Sequence, residues 1–279
     1  MRRLLAPLIG IPLGLTVVAL AALWFGPDPA RAEPVPASLT TQPPQHAAAL
    51  PKVGPFPPDR LRPPADATTQ ASGTGFFAGP HTVITAAHVV SECRAIRLVS
   101  QHFPSTEATL VTVDGENDIA VLHTAAPAPA HLAIAGPATP PTRALVYGFP
   151  ATARRDVPDT TWASLVNDRL AHSAVLEKDP RTLLWMQNRD IARGYSGGPI
   201  LNPVNGQVLG IVRALIDPER AAAAYGIVTP DLSIGPGTAP LRAILTQGTP
   251  DPDPDPDPDD SDDIFTRARK ATVHVFCWQ

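Results

Sequence analysis

Short apolar runs separated by Gly, Pro, Asp and Asn make up most of the chain between residues 72 and 246. Such runs, with turn residues between them, are typical of β-strands in a sandwich or barrel. Helical periodicity is poor except in Ala239–Thr246, which predicts a short terminal helix. The pattern therefore predicts an all-β domain whose strands are Thr82–Val90, Ala95–Val99, Thr109–Val113, Ile119–His123, Ala144–Tyr147, Thr182–Gln187, Gly198–Leu201, Val208–Arg213 and Ala224–Val228.

The first 32 residues have the pattern of an export signal. Arg2 and Arg3 precede an uncharged apolar run over residues 4–25, and Ala30 and Ala32 follow shortly after it. A positive start, an apolar core and small residues at the cleavage site define a signal peptide, although about 20 apolar residues also suffice to span a bilayer. We expect cleavage after Ala32 rather than an uncleaved anchor, which would tether the chain to the membrane through residues 4–25. Either reading predicts a secreted or cell-surface protein.

Two low-complexity segments flank the predicted domain. Prolines dominate residues 33–70, and each one fixes φ and removes a backbone donor, so we expect an extended spacer. Residues 249–263 hold an Asp-Pro repeat followed by further aspartates, which predicts an acidic linker. A calcium site fits poorly there, because alternating prolines prevent the carboxylates from wrapping around one ion. The domain is thus expected over residues 71–248, with a tail at 264–279 that contains a strand.

Charge and cysteine content narrow the classes of function. The formal net charge of the 279 residues is −4, but aspartates cluster in residues 251–263, so the rest of the chain is mildly basic. No basic stripe with interleaved aromatics occurs, and nucleic-acid binding is not expected. Two cysteines are too few for a disulfide-dense scaffold. We expect neither a metal nor a cofactor.

Three short motifs carry the candidate chemistry. Ser196 lies in a Gly-Tyr-Ser-Gly-Gly-Pro turn, His88 ends a Thr-Ala-Ala-His run, and Asp118 begins an Asp-Ile-Ala-Val-Leu run. A serine hydroxyl becomes a good nucleophile only beside a base, and the base needs a third group to fix its tautomer. We therefore expect Ser196 to attack a carbonyl, His88 to move the proton and Asp118 to orient His88. The backbone N–H groups of Gly194 and Ser196 would stabilise the oxyanion.

Each motif alone also has a purely structural interpretation. His88 would be a satisfied core histidine at the end of an apolar strand, Asp118 a turn residue, and the glycine-rich turn a packing feature. The chain order His, Asp, Ser, with separations of 30 and 78 residues, is one of the orders in which this triad geometry occurs. The joint pattern favours the catalytic interpretation.

These motifs resemble those of the chymotrypsin/trypsin-like serine peptidases, and in particular the compact bacterial members. Gly73–Phe76, Gly148–Pro150 and Gly206–Val212 add to the resemblance, which covers roughly residues 72–246. It implies two six-stranded antiparallel β-barrels, at about 71–135 and 139–248, with the active site in the cleft between them. It also implies an endopeptidase that cleaves protein or peptide substrates through an acyl-enzyme intermediate.

Four positions depart from the pattern of this family or bear on its specificity. Tyr195 stands where the zymogen-type animal enzymes have an Asp that pairs with a freed N-terminal amine, so that activation is not expected. Arg213 stands where a small polar residue usually supports the triad Asp. Asp190 falls at the base of the primary specificity pocket, with Gly226 as a further substrate-binding candidate. A carboxylate there would favour Arg or Lys substrates unless Arg213 or Arg189 neutralises it.

The tail and the two cysteines suggest one further arrangement. Outside the cytoplasm an even number of cysteines favours a bridge, here between Cys93 and Cys277. Bacterial relatives usually have an Ala-Thr-Val-type strand just before the Gly-x-Gly-Phe segment. In this chain such a sequence, Ala271–Cys277, lies at the far end. We expect the tail to supply this first-barrel strand, the alternatives being a dangling tail or one that pairs with another protein.

Two other functions compete with that of a peptidase. A catalytically silent or tail-blocked interaction module would keep the fold, with Arg213 and the tail closing the cleft. An esterase fits poorly, because its usual fold places the serine first in chain order, at a strand-to-helix turn. No segment resembles a PDZ module. The sequence leaves the physiological substrate and the oligomeric state open.

Overall fold

The computed structural model describes residues 70–137, 139–152, 156–166, 183–219, 231–248 and 262–279. The predicted export signal, most of the proline-rich spacer, most of the Asp-Pro linker and the predicted strand Ala224–Val228 lie outside these ranges. Within them, no helix is long and apolar enough to cross a membrane.

The described elements are mostly strands, as the sequence predicts. The helices are α1 (Ala87–Val90), α2 (Thr238–Gly248) and α3 (Ile264–Ala271). The strands are β1 (Gln70–Phe77), β2 (Thr82–Thr85), β3 (Ala95–Ser100), β4 (Phe103–Asp114), β5 (Ile119–Thr124), β6 (Arg143–Gly148), β7 (Asp159–Leu165), β8 (Leu183–Gln187), β9 (Pro199–Leu201), β10 (Val208–Ile211), β11 (Ala214–Leu215), β12 (Leu232–Pro236) and β13 (Thr272–Trp278).

The first sheet is a closed six-stranded barrel that includes the C-terminal strand. Its order is β1, β13, β3, β4, β5, β2, and all of its neighbouring pairs are antiparallel. Strand β13 pairs with β1 from Gln70 opposite Trp278 to Phe76 opposite Thr272, and with β3 on its other side. All seven residues of β13 are buried. The prediction that the tail supplies a strand of the first barrel is confirmed.

The two faces of β13 bury different partners. Val273 and Val275 point into the barrel interior with other aliphatic side chains. On the opposite face, His274, Phe276 and Trp278 form a row of neighbouring rings. The row reaches Phe149 of the second barrel, with 4.8 Å between the ring centroids of Phe149 and His274. A disulfide joins Cys277 to Cys93, as predicted, with 5.3 Å between their Cα atoms.

The second sheet curls back on itself. Its order is β10, β9, β6, β7, β8, β12, β11. Strand β11 continues the path of β10 after a two-residue break, and β11 pairs with β12. Gly210 of β10 also bridges Gly237, just beyond β12. The seven strand segments of the second sheet therefore trace six strand positions. The two-barrel all-β class expected from the resemblance is confirmed.

A shared apolar core joins the two barrels. It contains Phe76 and Ile84 from the first barrel, Leu145 and Tyr147 from the second, and the inward faces of α2 and α3. Helix α3 begins at an N-cap, Asp263, whose carboxylate accepts from the amides of Phe265 and Thr266. Because α3 leads directly into β13, the tail packs against the shared core before it completes the first barrel.

Several element boundaries differ from the prediction. The predicted strand Thr82–Val90 is wrong beyond Thr85, because the chain turns into α1, where the amide of Ala87 donates to the carbonyl of Asp118 at 3.1 Å. Strands β1, β7 and β12 had no clear apolar run to signal them. Strand β4 starts at Phe103 rather than Thr109, and α3 was not predicted.

Candidate active site

Asp118 lies in a tight turn between β4 and β5. The turn is closed by Asp114, whose Oδ1 accepts from the amides of Glu116 and Asn117. Asp118 has a φ of 59°, in the left-handed region that Asp and Asn adopt more readily than other non-glycine residues. In this conformation the Asp118 carboxylate is buried and accepts a hydrogen bond from the backbone amide of His88 in α1.

His88 is held against Asp118 by two hydrogen bonds. The His88 Nδ1 lies 2.7 Å from Asp118 Oδ2, and the His88 amide donates to Asp118 Oδ1 at 2.9 Å. The helical turn of α1 buries Ala87, Val89 and Val90 but leaves the His88 side chain 51% exposed. An ionised Asp118 selects the tautomer with the proton on Nδ1. The outward-facing Nε2 is then available as a base.

The loop that carries Ser196 packs against the strand end that leads to His88. Gly194 and Gly197 have φ values of +99° and +86°, which favour glycine. A Cβ at Gly197 would lie 2.1 Å from the carbonyl oxygen of Thr74 and 2.7 Å from the amide of Ala86. Ala86 is two residues before His88, so the loop reaches the junction of β2 and α1.

The two amides predicted to form the oxyanion hole have no intramolecular acceptor among the described residues. The carbonyl groups of the same peptide units are both occupied. Arg193 O accepts from the amide of Ala151 at 2.8 Å, and Tyr195 O accepts from the amide of Gly198 at 2.7 Å. The orientation of both peptide planes is thereby fixed, while the N–H groups of Gly194 and Ser196 stay available to a ligand.

Arg213 lies beside both Asp118 and Ser196. Its Nε is 3.5 Å from Asp118 Oδ2, the oxygen that also faces His88. Its carbonyl oxygen accepts from Ser196 Oγ at 3.3 Å. Arg213 thus lies next to Asp118, as the resemblance implies for this position. Its side chain is charged, where the resemblance implies a small polar residue.

The predicted specificity residues are only partly described. Asp190 is exposed, and its Oδ2 accepts from the Thr161 hydroxyl at 3.3 Å. The Arg213 side chain extends toward Asp118 and not toward Asp190, so it does not serve as the counter-ion of Asp190. Gly226 lies outside the described residues.

Tyr195 is a neutral core residue. Its ring packs against Gly148 and is almost fully buried. Burial, together with the charges of Asp159 and Asp190, raises the pKa of Tyr195 to about 12. The phenol therefore stays protonated at ordinary pH and offers no negative charge to an N-terminal amine.

Thr74 was not singled out from the sequence as a site residue, although it lies in the Gly-Thr-Gly-Phe segment that contributed to the resemblance. It is fully buried and hydrogen-bonds directly to the Ser196 loop. Nothing in the local sequence distinguishes its hydroxyl from that of any strand threonine. Elsewhere in the described residues, no group of three or more His, Cys, Asp or Glu side chains is arranged to hold a metal.

Comparisons with known proteins bear on the family to which the chain belongs. Residues 73–211 match the family model of the trypsin-like peptidase domain. The serine protease Rv3671c of Mycobacterium tuberculosis is 31% identical over 145 residues, which are 50% of this chain and 35% of that protein. An uncharacterized protein of Sinorhizobium fredii, y4bJ, is 26% identical over 68% of this chain and 30% of its own length.

A solved structure of a mutant of Rv3671c, in an inactive form, aligns with 63% of this chain and 80% of that chain. It has a TM-score of 0.48 and 27% sequence identity. The chain spans about a third of the length of the curated relatives that it matches. The family match runs from the Gly-Thr-Gly-Phe segment of β1 to the end of β10, so it includes strands of both barrels but not β11, β12 or β13. On this evidence, the chain belongs to the trypsin-like serine peptidase family.

Proposed function

We propose that this protein is an exported serine endopeptidase with the triad His88, Asp118 and Ser196. The observation that carries the proposal is the pair of hydrogen bonds between Asp118 and His88. A carboxylate that holds both the ring and the backbone of a histidine leaves the exposed Nε2 in one fixed direction. The loop of Ser196 packs against the same junction of β2 and α1, as expected for a nucleophile beside that base.

In the proposed reaction, Ser196 Oγ attacks the carbonyl carbon of a peptide bond and His88 Nε2 takes its proton. Asp118 accepts the Nδ1 hydrogen bond throughout and stabilises the imidazolium. His88 then protonates the leaving amine, and the C–N bond breaks to leave an ester on Ser196. A water molecule, deprotonated by His88, hydrolyses that ester and releases Ser196.

The negative charge that develops on the carbonyl oxygen would be bound by the amides of Gly194 and Ser196. Both donors are free of intramolecular acceptors within the described part of the chain, and both belong to peptide units fixed through their carbonyl groups. Preorganised donors of this kind contribute strongly, since the loss of one typically costs about 10²–10³ in rate. No cofactor is needed.

The remaining assignments follow the sequence. Residues 1–32 act as the signal, 33–70 and 249–263 as spacers, and 71–248 with 264–279 as the peptidase domain. Disulfides persist in oxidising compartments, so the bond between Cys93 and Cys277 supports export. Substrates are proteins or peptides, and Asp190, Arg213 and Gly226 remain candidates for their recognition.

The test is hydrolysis of an unbiased peptide library by residues 33–279. We expect cleavage that is lost in both Ser196→Ala and His88→Ala, with all three proteins equally folded by circular dichroism. Ser91→Ala is the control at the end of α1, the helix that carries His88. It loses one exposed 3.3 Å hydrogen bond to the His88 carbonyl and should cleave like the wild type. Cleavage that survives in Ser196→Ala would refute the proposed nucleophile.

A second candidate function is a catalytically silent module, and one observation favours it. Ser196 Oγ donates to the Arg213 carbonyl, which turns the hydroxyl proton away from a base. The Arg213 guanidinium also competes with His88 for Asp118 Oδ2. If the wild type is folded but does not cleave peptides, Arg213→Ser distinguishes the two cases, because cleavage gained in that variant would indicate a blocked site.

A further inference from the structure

Thr74 is a buried residue of β1 that donates two hydrogen bonds to the loop that carries Ser196. It has no solvent exposure. Its hydroxyl donates to the carbonyl oxygen of Gly194 at 2.7 Å, and its amide donates to the carbonyl oxygen of Ser196 at 2.8 Å. One first-barrel residue therefore contacts the residues on either side of Tyr195.

The same residue is itself fixed from two directions. The Thr74 hydroxyl accepts from the amide of Phe149, which belongs to the second barrel, at 2.9 Å. Its carbonyl oxygen accepts from the Thr85 hydroxyl at 2.7 Å. The Thr74 hydroxyl thus joins both barrels to the loop, using its donor and its acceptor capacity at once.

The bond to the Gly194 carbonyl restrains a glycine, whose backbone rotates more freely than that of other residues. Gly194 has a φ of +99°, and a glycine there has no Cβ to confine it. The Gly194–Tyr195 peptide unit lies between the two oxyanion-hole amides. Thr74 Oγ1 holds its oxygen, and the Tyr195 amide donates to Ala192 O at 3.1 Å. Fixing this plane at both ends sets the direction of the neighbouring N–H groups of Gly194 and Ser196.

We propose that Thr74 is a positioning residue of the oxyanion hole, acting through its hydroxyl on the Gly194 carbonyl. The proposal rests on the proposed peptidase function for its kinetic consequence, but not for its structural one. Thr74 also connects the tail to the candidate active site, because it lies opposite His274 in the neighbouring strand β13.

Three variants separate positioning from general stability. Thr74→Val keeps the shape but removes the hydroxyl, and Thr74→Ser keeps the hydroxyl. Thr272→Val is the matched control, since Thr272 is equally buried in the same barrel and loses one 2.7 Å bond, to Ala268 O. Thr74→Ala also removes the hydroxyl but places no methyl group against Gly194 O and Phe149 N, and it replaces Thr74→Val, with the same expected results, if that variant does not fold.

The kinetic measurement is kcat and KM on one peptide substrate. A displaced oxyanion donor lowers kcat by about 10²-fold, so Thr74→Val should show that fall with KM little changed. Thr74→Ser should restore most of kcat, and Thr272→Val should keep it. Equal losses of kcat in Thr74→Val and Thr272→Val, or no loss in either, would overturn the proposal.

The structural measurement is amide hydrogen exchange of the peptide that contains Gly194–Gly198. We expect faster exchange of that peptide in Thr74→Val than in Thr272→Val. The peptide that contains Phe149, whose amide donates to the Thr74 hydroxyl, should also exchange faster, and the remaining second-barrel peptides should be unchanged. Unchanged exchange in the loop would overturn the proposal. If the wild type cleaves no peptide, the proposed function fails, while the exchange result still decides the role of Thr74.

Discussion

Cys277, near the end of the chain, is disulfide-bonded to Cys93, five residues after His88. The bond fixes β13 beside α1, the helix that carries His88. Because β13 lies between β1 and β3, the barrel that positions His88 and Asp118 is completed only by the last residues of the chain. The tail is therefore part of the fold and not an appendage to it.

A chain that ends at Gly248 should fail to fold. It lacks β13, so β1 and β3 lose their shared partner and the barrel core loses Val273 and Val275. We expect loss of the cooperative thermal transition by circular dichroism and loss of peptidase activity. A shortened chain that melts like the full one, or that gains activity, would contradict the role assigned to β13.

Removal of the disulfide should lower stability. Cross-linking residues 184 apart restricts the unfolded chain, and the chain-entropy relation gives about 5 kcal/mol as an upper figure for a loop of this size. We expect the Cys93→Ser/Cys277→Ser protein to unfold at clearly lower urea concentration than the wild type. The control is reduction of the wild type with dithiothreitol, which should shift its midpoint by a similar amount. Equal urea midpoints in all three samples would show that the disulfide contributes nothing to stability.

Asp118→Asn should keep the fold and lose most of the activity. The amide still fits the turn, but it does not select the Nδ1-protonated tautomer of His88, and such a change costs about 10⁴ in kcat in a triad. The fall in kcat is measured by steady-state kinetics at neutral pH. Asp114→Asn is the matched control: it alters a carboxylate of the same turn that does not contact His88. Near wild-type kcat in Asp118→Asn would remove Asp118 from the triad.

Gly148→Ala should destabilise the second barrel. An added Cβ would lie 2.3 Å from Cδ1 and 2.4 Å from Cγ of the buried Tyr195 ring. The ring has little room to move, so we expect a loss of about 1–3 kcal/mol in the free energy of unfolding. Gly136→Ala, where an added Cβ meets nothing within 4 Å, is the control and should be nearly neutral. Equal urea midpoints for the two variants would show that Tyr195 adjusts freely.

Much of the site could be predicted from local sequence. Each triad candidate has its own flanking motif, and the chain order of the three motifs restricts the fold that joins them. The tail strand was predictable for a related reason: its apolar pattern and Cys277 are local features that only a partner elsewhere could satisfy. Strong local signals therefore indicate Ser196 as the candidate nucleophile, and they located β13 correctly.

The features that were missed depend on contacts distant in sequence. Strand β7 is largely exposed and β12 contains Gly235 and Pro236, so neither shows an alternating apolar run. The turn into α1 depends on Asp118, which supplies both a carbonyl and a carboxylate from 30 residues away. Thr74 likewise acquires its role only when Gly194 folds against it, 120 residues later in the chain.

The central claim is that the His88–Asp118 pair activates Ser196, and covalent modification tests it most directly. The measurement is the fraction of residues 33–279 that carries a fluorophosphonate adduct, with the modified residue located by tandem mass spectrometry. We expect one adduct per folded molecule, on Ser196. No adduct should form after heat denaturation, and its formation should be greatly slowed in His88→Ala. A folded protein with no adduct, or with the adduct on another serine, would contradict it.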